Sequence, residues 1–128
     1  MEHTADILVR AYAPTLKEAV EQTSLAMFEV IGAKKQEGQK QFQIEEKANS
    51  KQELIVNFLS SILAESEIHE ILPTKVQIEK LDEKTNEIKA NIYGTEERPK
   101  DHIKAVTYHR FRIEKKDDLY YIEVLFDV

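Results

Sequence analysis

Residues 53–66 read ELIVNFLSSILAES, and their periodicity decides the fold. Leu54, Ile55, Phe58, Leu59, Ile62 and Leu63 recur at spacings of three and four, which gathers them on one stripe of an α-helix. Ser50 and Glu53 stand just ahead of that stripe in a capping-box pattern, where a hydroxyl serves an orphan amide of the first turn. The spacing predicts a helix over 51–66. Toward the N-terminus, QFQIEEK (41–47) alternates with Phe42 and Ile44 on one side and predicts a strand. A polar linker, AKKQEGQK (33–40), separates it from a second helical pattern of Leu16, Ala19, Val20, Met27, Val30 and Ile31. Thr15 and Glu18 repeat the capping box there, and Gly32 is a good terminator, so this helix is expected at 16–31. Before it, ADILVRAY (5–12) alternates as a short strand, with Ile7, Val9 and Ala11 on one face, and Pro14 ends it.

Beyond the second helix every pattern is strand-like. TKVQIEKL (74–81) and EIKANIYG (87–94) alternate around the polar turn DEKTN (82–86), and TEERPKDH (95–102) reads as a loop. IKAVTYHRFRI (103–113) and LYYIEVLFDV (119–128) flank the turn signal KKDD (115–118), a last hairpin. The order is β-α-β-α-β-β-β-β. Two amphipathic helices and a mainly antiparallel sheet make a two-layer α+β arrangement, expected as a single domain over residues 1–128.

Composition narrows the function classes. The 128 residues contain no cysteine, which removes disulfides, thiolate metal sites and thiol nucleophiles together. The net charge is −6 and most basic residues are interleaved with acids, so direct nucleic-acid binding is not expected. No apolar run approaches the roughly 20 residues of a membrane span, and the N-terminus has no basic-then-apolar leader; a cytoplasmic protein is expected. There is no glycine-rich phosphate loop, activated serine motif or zinc spacing.

The chemistry-bearing residues sit near the ends. Asp6 starts the first strand and Asp127 ends the last. If those strands are antiparallel neighbours, both carboxylates meet at one corner with the terminal carboxylate of Val128. Grouped anions repel unless protonated or bridged by a cation, and hard oxygen donors favour Ca²⁺ or Mg²⁺. Without such a cation, Asp6 simply accepts backbone hydrogen bonds and Asp127 is solvated. His3 and Thr4 could orient Asp6 from outside the ligand set, or His3 could be a ligand. In HIKAVTYH (102–109), regular strand alternation sets Lys104, Val106 and Tyr108 on one face, with Tyr108 half-buried.

HTADILVRAYAPTLKEAVEQTSLAMFEVIG at the front, IKAVTYH near the back and the terminal FDV together resemble the archease family, in the right order along nearly the whole chain. The resemblance implies a small non-catalytic partner of the RtcB-type tRNA-splicing ligase. It implies that the protein helps guanylation of the ligase and so lets it turn over many times. It also implies a bound divalent cation, usually calcium, with Asp6 and Asp127 as ligands and the Val128 terminal group as a third. Lys104 carries over as a functional surface residue, and His3 belongs to the same signature. Two other functions compete: a broader chaperone or adapter for RNA-modifying enzymes, and a metal-dependent hydrolase with His3 as its base.

Overall fold

The computed structural model describes residues 6–33, 38–97 and 103–128. Eight elements follow in the expected order: β1 (Asp6–Ala13), α1 (Leu16–Val30), β2 (Lys40–Lys47), α2 (Lys51–His69), β3 (Leu72–Asp82), β4 (Glu87–Thr95), β5 (Ala105–Lys116) and β6 (Leu119–Asp127). Both N-caps form: the hydroxyls of Thr15 and Ser50 accept from the amides of Glu18 and Glu53, each at 3.1 Å. Helix α2 runs three residues beyond its predicted end. It closes with Glu70 in the left-handed region, where the Ile71 amide reaches back to the Ser66 carbonyl at 3.0 Å.

The strands divide into two three-stranded antiparallel sheets, β1-β6-β5 and β2-β4-β3. Each helix bridges both: α1 packs on β1 and β3, α2 on β2 and β5. The α+β expectation therefore holds, with the sheet layer split in two. The helices bury Val20, Phe28, Phe58 and Ile62 against Ile78, Ile92, Val124 and Phe126, all at most 1% exposed. Burying such side chains is worth about 1.5–3 kcal/mol each, and it is this shared filling that joins two sheets with no ladder between them. Among the described residues no helix is long and apolar enough to cross a membrane.

Two backbone features shape the edges. The β5–β6 hairpin turns on Asp117 and Asp118, both left-handed (φ 51° and 64°), the two-residue geometry whose twist matches the strands. Within β5 the register jumps from Thr107↔Leu125 to Arg112↔Glu123, leaving 108–111 opposite Val124 alone. Tyr108 is 51% exposed there, and Arg110 takes a φ of 63°. The bulge reverses the phase of the strand, so Phe111 returns to the interior.

The β3–β4 pairing depends on Gly94. A Cβ there would sit 2.2 Å from the carbonyl oxygen of Leu72, and the chain at Gly38 passes over the same residue. Gly94→Ala must push two backbones apart, and an overpacked site of this kind costs about 1–3 kcal/mol. Chemical denaturation should show that loss with an unchanged m-value; a wild-type midpoint would show that the strands separate freely.

Candidate functional site at the strand ends

The first and last strands are neighbours. Register pairs run from Asp6↔Asp127 through Arg10↔Glu123 to Ala13↔Tyr120. Directly opposed residues on an antiparallel pair point to the same face with Cβ atoms about 5 Å apart, so Asp6 and Asp127 stand side by side. The interior face of β6 carries Ile122, Val124 and Phe126, all fully buried, which places Asp127 with Tyr121, Glu123 and Leu125 on the outer face. Asp6 is exposed, and Asp127 and Val128 are half-buried. Like charges in such a pair oppose the pairing.

Lys104 meets this corner through its backbone. Its N–H donates to the Asp127 carbonyl at 2.7 Å, and Ala105 pairs with Asp127 on the side away from Asp6. Its side chain borders a cleft between α2 and the start of β5, so Lys104 and the carboxylate pair flank one sheet end from different sides. His3 lies outside the described residues.

The donor set suits a hard cation. Two opposed carboxylates with a further main-chain oxygen group one residue on offer only oxygen, the ligand type taken by Ca²⁺ and Mg²⁺. Among the described residues no group of three Asp, Glu or His side chains forms a fuller cage. Among the described residues, only water or main-chain groups would be left to complete a coordination sphere here.

Further along the same face lies a network that single-residue patterns did not suggest. Glu123 is 3% exposed on an otherwise solvent-facing surface. Its Oε1 accepts from Arg10 Nε at 2.8 Å and from the Tyr121 hydroxyl at 3.0 Å. Tyr12 packs against Tyr121 with ring centroids 5.0 Å apart, and the Arg112 guanidinium lies over the Tyr121 ring while pairing with Glu114. The signal was present in YYIEVLFDV, where Tyr121 and Glu123 share the outer parity, but reading it needs the Arg10↔Glu123 register. The Arg10 hydrogen bond, then that of Tyr121, holds the Glu123 carboxyl below the ordinary glutamate range against the opposing effect of burial. Burial, then the Glu123 contact, pushes the Tyr121 phenol up.

These features define a class: a small α+β protein of two antiparallel sheets whose first and last strands pair and bring two carboxylates face to face. The model of the Archease protein family (MTH1598/TM1083) matches residues 1–128, and the chain belongs to that family. Protein archease of Pyrococcus abyssi is 37% identical over 125 residues, covering 91% of this chain and 87% of the relative. Protein archease of Methanosarcina acetivorans is 37% identical over 136 residues, covering 100% and 93%. The solution structure of protein 1598 from Methanobacterium thermoautotrophicum superposes with a TM-score of 0.80 at 29% identity, covering 100% of this chain and 96% of that one. A crystal structure from Thermotoga maritima, described as an archease and possible chaperone, shares the fold with a TM-score of 0.75 at 21% identity, covering 100% and 94%.

The lowered Glu123 carboxyl makes a pH prediction. Its stabilisation is complete above the ordinary value of 4.5 and is lost as pH falls through the lower folded value. Urea unfolding of Glu123→Gln should therefore lie below wild type at neutral pH and converge with it in acid. A constant gap across that window would show that Glu123 unfolds and folds with the same proton affinity.

Proposed function

We propose that this chain is a non-catalytic, divalent-cation-binding accessory protein that activates an RtcB-type tRNA-splicing RNA ligase, promoting its guanylation and multiple turnover in the cytoplasm. Family membership along the whole chain is the observation that carries the reading. The facing carboxylates of Asp6 and Asp127 support it, because that corner is where the family resemblance puts a cation. In this reading Asp6 and Asp127 hold the cation, most readily Ca²⁺ with Mg²⁺ as substitute, and the Val128 carboxylate is the third oxygen group. The bound cation supplies positive charge that relieves the opposed carboxylates and fixes the strand ends. Lys104, anchored through its N–H to Asp127, presents an ammonium group to the ligase, and His3 belongs to the same contact surface. The ligase, not this chain, holds the RNA, in keeping with a net charge of −6.

A broader chaperone or adapter role for RNA-modifying enzymes is the second reading. The description of the Thermotoga maritima protein as a possible chaperone favours it. Copurification separates the two: a single ligase supports the first, several unrelated enzymes the second.

Ligation with a trace of ligase tests activation directly. This protein should speed later turnovers and leave a pre-guanylated first turnover unchanged; equal acceleration of both would reject the guanylation role. Lys104→Ala should abolish stimulation while stability stays within about 0.5 kcal/mol, as for most exposed substitutions. A matching loss of melting temperature would make Lys104 structural.

Calorimetry and melting test the cation. A ligand that binds only the native state stabilises it by about 2.7 kcal/mol at a hundredfold excess over its dissociation constant. Calcium should raise the wild-type melting temperature, and Asp6→Ala or Asp127→Ala should each lose that increment. Unchanged calcium affinity in the double variant would remove the site.

A further inference from the structure

The bulge divides β5 and sets its first residues apart. Ala105, Val106 and Thr107 pair with Asp127, Phe126 and Leu125, and the ladder resumes only at Arg112. Two further contacts tie this short segment to the same partners. The Lys104 N–H donates to the Asp127 carbonyl at 2.7 Å. The Thr107 hydroxyl is shared between the carbonyls of His109 and Leu125, each at 3.3 Å. Lys104–Thr107 therefore takes its place from the end of β6 and not from the long hairpin beyond the bulge.

The same end of β6 carries the opposed carboxylates. One row crosses the sheet from Asp6 on β1 through Asp127 on β6 to Ala105 on β5. Like charges set directly opposite weaken a strand pair, so Asp6 and Asp127 loosen this row from the β1 side. Sheet ends also open locally at far less cost than the whole domain. When Asp127 loosens, so does the carbonyl that holds the Lys104 amide. The Lys104 side chain lies toward the cleft beneath α2, which Glu67 also lines, and away from the carboxylate pair. The main chain of Asp127 is thus the link between the carboxylates and Lys104.

We propose that a cation at Asp6 and Asp127 controls Lys104 through the Asp127 main chain, closing the end row and fixing Lys104–Thr107 in one conformation. This rests on the cation reading of that corner and is tested apart from the ligase. With the carboxylates bridged, the repulsion that opens the row is gone and Asp127 is held from the β1 side. Its carbonyl then stays in place for the Lys104 N–H. Binding and closure are reciprocal, so whatever weakens the clamp weakens the cation by the same factor. Lys104 answers to calcium although it is not a ligand.

Amide hydrogen exchange of the full chain, followed by NMR through a calcium titration, reads the link directly. If opening at Lys104 releases the cation, its exchange slows in proportion to free calcium, about a hundredfold at a hundredfold excess over the dissociation constant. The Ala48 amide is the control. It donates to the Asn86 carbonyl at 3.0 Å, a strand-end clamp in the other sheet, and its exchange should stay flat. Calorimetry of two variants reads the link in reverse. Lys104→Ala keeps the amide and should bind calcium as wild type does. Lys104→Pro removes the donor and should bind about fivefold more weakly, the value of one ordinary hydrogen bond. Should the proline variant unfold, the wild-type titration decides alone. Calcium binding with a flat Lys104 amide would overturn the coupling and leave the site standing. Equal slowing at Lys104 and Ala48 would also overturn it, because calcium would then act through global stability. No calcium binding at all would remove the site and the coupling together.

Discussion

The antiparallel pairing of β1 with β6 is the constraint on which the rest of the structure depends. It joins residues 113 positions apart at Arg10 and Glu123, and without β6 in the middle, β1 and β5 have no common neighbour. Closing so long a stretch of chain costs entropy that grows only slowly with length. The return comes from burial of Ala11, Ala13, Ile122, Val124 and Phe126 beneath α1 and α2. Sheet β2-β4-β3, by contrast, is built wholly from residues 40–95. The two halves of the molecule thus differ in kind: one is assembled locally, the other only when distant strands meet. The carboxylate corner belongs to the second kind, because Asp6 faces Asp127 only when that ladder is complete.

Polar groups fasten the ladder as well as apolar ones. Glu123 on the central strand ties to Arg10 on one neighbour and stands opposite Arg112 on the other. A carboxylate this buried is tolerable because two donors reach it, and its partners cover it from solvent. At the far end of β6, Asp127 stands opposite Asp6 of β1, and among the described residues no donor reaches either side chain. Among the described residues the β1–β6 ladder therefore carries one compensated charge and one uncompensated pair of carboxylates, the pair on which the proposed cation rests.

Much of this was legible in the sequence, and what was not has physical causes. The helices declared themselves because Thr15 and Ser50 make local capping contacts and the apolar spacing is dense. The Asp6–Asp127 meeting was legible as a consequence of antiparallel neighbours, although no local signal requires β1 and β6 to pair. The division into two sheets was invisible, since β4 and β6 alternate alike whether they belong to one sheet or two. The bulge in β5 escaped because alternation was carried straight through Tyr108. The interval of five between the inward Val106 and Phe111 is the trace it leaves. The cleft was hidden for another reason: a serine at position 66 continues the apolar stripe of α2 by spacing but not by composition.

The bulge at Tyr108–Arg110 also bears on how the protein survives crowding. β5 is an outer strand of its sheet and offers an open row of amides and carbonyls to any other chain. A flat strand of that length would template stacking between molecules. Here the row is interrupted midway by a left-handed arginine, and lysines and arginines at 104, 110, 112, 115 and 116 charge both sides of the break. Neither remaining segment is long enough or neutral enough to recruit a foreign strand. The irregularity that costs β5 part of its pairing with β6 keeps the sheet finite.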